Sequence, residues 1–146
     1  MDVAERSLVH RYLDVLSGLG ISNFRIHIVV GYKMRSVIDH VREHDIGDQV
    51  EFVENKEYMK GSISSLWAAR ECVDGQTVLM DGDVYFHPSL LRVLLEARDP
   101  NSLLVDTSTV SSGEEIMCGA DNNRVIAIGR GMVGSFEIYG EWVGFL

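Results

Sequence analysis

The sequence predicts an α/β fold: a mixed sheet of βαβ units followed by an antiparallel C-terminal part. Three observations predict it. Short β-branched apolar runs alternate with helix-period segments up to about residue 113. From residue 114 the helical pattern disappears, and strand-like runs follow one another across turn residues. Between them, LMDGDVYFHPSLLRVLLEA (79–97) is an apolar strand that meets two carboxylates and runs into a helix. With 146 residues, 46% of them apolar, the chain is long enough for one domain with a real core.

Taken in order, residues 2–19 read as a helix, because Val3, Leu8, Tyr12, Leu13 and Leu16 fall near a 3.6-residue period that Gly18 and Gly20 close. FRIHIVVG (24–31) is a β-branched strand, and 34–44 returns to helix. VEFVEN (50–55) is a short strand, ISSLWAARECV (63–73) a helix after a Gly-Ser turn, and TVLM (77–80) a strand. Pro88–Ala97 is a helix with proline suited to its first turn, and SLLVDT (102–107) a strand. EEIMCGADNNRVIAIGR reads as a hairpin turning at Asp121–Asn123, and FEIYGEWVGFL as one or two further strands. The chain opens on a helix with no strand before it and closes on the apolar Leu146, so both ends read as truncated.

Composition narrows the function classes. A formal net charge of −9 argues against a general nucleic-acid or anionic-membrane surface, while leaving room for a small anionic nucleotide. No run of about eighteen apolar residues suggests a membrane span, and MDVAERSLVHRYL lacks a signal-peptide core, so a cytoplasmic protein is expected. Cys72 and Cys118 form no CxxC or zinc spacing and read as reduced core thiols.

Three pattern matches carry little. HVREH (40–44) fits H-x-x-E-H, yet on a short polar helix it reads as a solvated face. GRGMVG (129–134) fits G-x-G-x-x-G, but a strand pattern follows where a dinucleotide site needs a helix. The charge runs Asp45–Asp48 and Glu51–Lys56 read as solvated surface, with Lys56 and Lys60 a partial exception because they sit beside the Gly-Ser turn at 61–62.

The aspartate pair is different. Asp81 and Asp83 flank Gly82 where an apolar strand surfaces, which places hard oxygen ligands at a sheet edge where open α/β folds bind ligands. Oxygen-only ligation suits a magnesium ion carrying phosphates. Upstream, Gly61 and Ser62 stand at a strand-to-helix junction, small enough for a ring or phosphate to approach the backbone; Ser62 is also a candidate helix cap.

Five blocks in order then resemble one family: VVGYK (29–33), VEFVENKEYMKGSISSLWAAR (50–70), VLMDGDVYF (78–86), EEIMCGADNNRVIAIGR (114–130) and GEWVGF (140–145). They are similar to the central part of the NTP-transferase family, the nucleotidyltransferases that include the sugar-1-phosphate and phosphocholine-type cytidylyltransferases. The resemblance implies a Rossmann-like, GT-A-type fold. It implies that Asp83 binds Mg2+ and is the catalytic carboxylate. It gives Gly82, Gly61, Ser62 and Asn55 as nucleotide-binding residues, and Glu141 as the residue facing a phosphorylated co-substrate. The SxxSLW form of the 60s segment is nearest to enzymes using CTP with phosphocholine, aminoethylphosphonate or inositol phosphate.

The implied reaction is in-line transfer of a nucleotidyl group from NTP to a phosphorylated alcohol or sugar, with release of pyrophosphate. The family's opening glycine-rich loop, with its arginine and Pro-Lys pair, has no counterpart in these residues, so little turnover is expected of the chain alone. Two other readings remain: a GT-A glycosyltransferase using Asp81-Gly82-Asp83 as a D-x-D motif, and a non-catalytic nucleotide-binding module. A sheet edge left exposed by the truncation favours a homodimer.

Overall fold

In the computed structural model, which describes residues 2–3, 6–20, 23–43, 50–99 and 101–146, the chain divides into two units, Met1–Thr77 and Val78–Leu146. The fold class is mixed α/β, with a two-stranded parallel sheet in the first unit and a four-stranded antiparallel sheet in the second.

The first unit opens with two-residue strands β1 (Asp2–Val3) and β2 (Arg6–Ser7), paired antiparallel, and helix α1 (Leu8–Gly18). The helix expected from residue 2 therefore begins at Leu8. The reason is Ser7, whose hydroxyl accepts the His10 amide and so supplies the N-cap. Strand β3 (Ile26–Val30) runs through helix α2 (Met34–Arg42) into strand β4 (Val50–Glu54), and the two strands pair in parallel from Ile26↔Val50 to Val30↔Glu54. The Asn55 amide extends this ladder by donating to the Val30 carbonyl at 2.7 Å. A 3-10 turn (Tyr58–Lys60) leads to helix α3 (Ser62–Ala68) and a second 3-10 turn (Arg70–Cys72). The helix expected over 63–73 is thus broken near Ala69, whose backbone leaves the helical region. His44 and Asp45–Asp48 lie outside the described residues.

The second unit corrects the expected strand at 77–80. Leu79 and Leu146 exchange both backbone hydrogen bonds, and Met80 bridges Phe145 antiparallel. Among the described residues, parallel strand pairing joins β3 and β4, with an isolated parallel bridge between Gly31 and Lys33; the segment leading to Asp81 is held instead by the end of the chain. Helix α4 (Pro88–Leu95) has Pro88 in its first turn as expected, and the His87 ring accepts the Ser89 amide. Strand β5 is Val105–Asp106, shorter than the expected 102–107, and pairs with β8 (Ile138–Trp142). Strands β6 (Met117–Asp121) and β7 (Arg124–Gly129) form the expected hairpin. Asn122 and Asn123 both take positive φ, 50° and 58°, the backbone a two-residue type I′ turn requires.

The sheet order is β5-β8-β6-β7. Phe86 and Phe145 meet edge to face at 4.7 Å between ring centroids, and Leu91, Met117 and Phe145 are fully buried. Among the described residues no helix is long and apolar enough to cross a membrane.

Candidate functional site

In the second unit the candidate carboxylates stand on a seam between two chain segments. The Asp81 amide donates to the Gly144 carbonyl at 2.9 Å. Gly144 adopts φ of 81°, which strains other residues, and a β-carbon there would stand 3.0 Å from the Asp81 side chain, so glycine lets the two segments close without strain or crowding. Beside this seam an open cleft of about 350 Å³ is lined by Asp81, Val84, Glu114, Glu115, Glu141 and Trp142, among others.

The electrostatics of the cleft follow from these neighbours. Partial burial, and secondly the charge of Asp83, hold the Asp81 carboxyl above the usual carboxylate range. Glu115 is shifted the other way, to about 2, because the Ser112 hydroxyl and the Ser112 and Gly113 amides all donate to it. Glu141 accepts a hydrogen bond from the Thr109 hydroxyl at 3.0 Å, which fixes its carboxylate on β8.

Of the residues singled out from sequence, Glu141 lines this cleft, while Gly82 and Asp83 lie on the exposed turn that follows Asp81. Sequence reasoning named Asp81 as one of the carboxylate pair but did not select Glu114, Glu115 or Trp142. The available signal was that DGD and GEWVG both end apolar runs, but their pairing is a long-range contact that no local pattern announces. Among the described residues no group of three or more His, Cys, Asp or Glu side chains is arranged to hold a metal. A phosphate-carrying magnesium ion needs only one or two protein carboxylates.

In the first unit Asn55, Gly61 and Ser62 come together around α3. Asn55 is 3% exposed. Its amide nitrogen donates to the Ser64 and Ser65 hydroxyls at 2.9 and 3.1 Å, and its oxygen accepts the Glu57 amide at 2.9 Å. Gly61 holds φ of 97° and ψ of 173°, a backbone nearly reserved for glycine. Ser62 does not cap the helix: it is the first helical residue, Gly61 occupies the cap position, and no side chain fills that role. Ser64 instead turns its hydroxyl back onto the Gly61 carbonyl at 2.7 Å. The polar side of α3 thus faces Asn55, while Ile63 and Trp67 are exposed.

No protein-family model matches the chain, and no curated protein matches it.

Proposed function

We propose that this chain is a nucleotidyltransferase-type domain of Rossmann-like, GT-A architecture. It takes a nucleoside triphosphate, CTP by the form of the 60s segment, and a phosphorylated alcohol or sugar. The observation that carries the reading is the seam described above: the Asp81 amide bonds to the Gly144 carbonyl at 2.9 Å, and Asp81 and Glu141 line one cleft. Those two segments, VLMDGDVYF and GEWVGF, are the ones that resemble the family's metal end and co-substrate end.

Magnesium is the implied cofactor, and the donor set fits it. Asp81 and Asp83 are hard oxygen ligands close enough for the charge of Asp83 to help raise the Asp81 pKa, a repulsion that a divalent cation relieves. When bound, the ion neutralises phosphate charge. Glu141, steadied by Thr109, orients the phosphorylated co-substrate. By the resemblance, Asn55, Gly61 and Ser62 are the nucleotide-side residues of the first unit, and Gly82 is that of the second. In the transfer itself a co-substrate phosphate oxygen bonds to the α-phosphorus as the bond to pyrophosphate breaks, so positioning and charge neutralisation suffice without a covalent enzyme intermediate. A cytoplasmic setting and self-association through a sheet edge belong to the same reading.

Calorimetric titration with CTP tests it. Magnesium is expected to tighten CTP binding about tenfold or more in the wild type, and Asp83→Asn to erase that gain. Equal affinity with and without the metal overturns the proposal. Because little turnover is expected of the chain alone, binding separates the D-x-D sugar-transfer reading: magnesium-dependent binding tighter for CTP than for a sugar nucleotide supports nucleotidyl transfer, and the reverse order supports the alternative.

A further inference from the structure

We infer that Tyr32, Lys33 and Tyr58, at the C-terminal ends of the parallel strands, form a platform that takes up a nucleoside polyphosphate without metal. The inference rests on the nucleotide reading above and adds contacts that reading does not assign.

Charge is the first argument. The chain carries −9 overall, yet its three lysines, Lys33, Lys56 and Lys60, all fall in the loops that leave β3 and β4. Residues 31–36 and 55–62 hold four cations against one carboxylate, Glu57, which pairs with Lys60. An anion repelled by the rest of the surface is steered to this rim.

Ring surface is the second. Tyr32 is 69% and Tyr58 41% exposed, their centroids are 6.4 Å apart, and their planes are inclined by 50°. The Lys33 ammonium lies 5.4 Å from the Tyr32 centroid, so a cation and an aromatic face are presented together. Stacking surface beside a phosphate-binding cation is the chemistry that recognises a nucleotide, whereas a bare anion needs only the cation.

The third is placement. Tyr58 is seated on Gly31, whose lack of a side chain gives its ring room. Lys33 holds φ of 51°, a backbone that glycine or asparagine adopts at less cost, in the short turn that leaves β3. Ligands of open α/β sheets bind beyond the carboxyl ends of parallel strands.

Equilibrium dialysis of the whole chain against CTP and against inorganic tripolyphosphate, in low salt with EDTA, tests the platform. Wild type is expected to bind CTP about tenfold more tightly than tripolyphosphate, with Tyr32→Ala and Lys33→Gln each weakening CTP about tenfold and Tyr32→Phe leaving it unchanged. Circular dichroism of each variant checks its fold, and Tyr32 and Lys33 are both exposed. EDTA removes the metal throughout, so failure here is distinguishable from failure of the magnesium reading, which is read only from the gain in affinity that added magnesium gives. Absence of metal-free CTP binding, equal affinity for tripolyphosphate, or wild-type affinity in both Tyr32→Ala and Lys33→Gln overturns the inference.

Discussion

Tyr58 rests directly on Gly31. A β-carbon at position 31 would stand 2.6 Å from Tyr58 Cβ and 2.8 Å from its Cγ, closer than carbon atoms approach in folded proteins. The contact joins the end of β3 to the 3-10 turn after β4, and so sets where both tyrosines of the rim lie. Gly31→Ala must displace Tyr58 or bend the strand end, at a cost of about 1–3 kcal/mol. Urea denaturation is expected to show a lowered midpoint, and Tyr58→Ala in the same chain to recover part of the loss. An unchanged midpoint for Gly31→Ala would show that the ring moves aside freely.

Asn55 is the polar anchor of α3. Its amide group makes three hydrogen bonds while 3% exposed, so truncation removes them all and strands the Glu57 amide. Asn55→Ala is expected to cost about 1–3 kcal/mol. Amides of residues 57 to 65 are expected to lose hydrogen-exchange protection first, because they form the turn and helix that Asn55 holds. Uniform loss across the first unit would instead mark Asn55 as a general core residue.

Two carboxylates near the cleft respond to pH with opposite signs. Glu115 titrates in the folded chain at about 2, below its ordinary 4.5, so its stabilising contribution is present above 4.5 and is lost as pH falls toward 2. Asp81 is raised above 3.8, so its contribution favours the fold at low pH and fades as pH climbs through the raised value. NMR titration is expected to place Glu115 near 2, with residues 112–115 loosening below 4.5. Asp83→Asn is expected to lower the Asp81 midpoint only in part, because burial is the larger cause. A Glu115 midpoint near 4.5, or no movement of Asp81 on Asp83→Asn, contradicts this account.

Local chemistry was legible wherever a few neighbouring residues decide the outcome. Asn122 and Asn123 announce their turn, because their side chains tolerate positive φ. Pro88 announces the start of α4, and the apolar runs at 26–30 and 50–54 announce the parallel pair joined by α2. The misses share a different origin. Ser62 has the composition of a cap, but Asn55 draws Ser64 and Ser65 inward, and that leaves Gly61 at the cap position. Residues 77–80 have the composition of a parallel strand, but Leu146 and Phe145 pair with them antiparallel.

The sequence by itself determined the α/β class, most element centres, the turn chemistry and the carboxylate pair at 81 and 83. Each of these depends on backbone preference and hydrophobic period over a few residues. Tertiary structure alone decided that Asp81 meets Gly144 and shares a cleft with Glu141, and that Tyr58 covers Gly31. Such contacts join residues far apart along the chain, and the packing that selects them is encoded by no single segment.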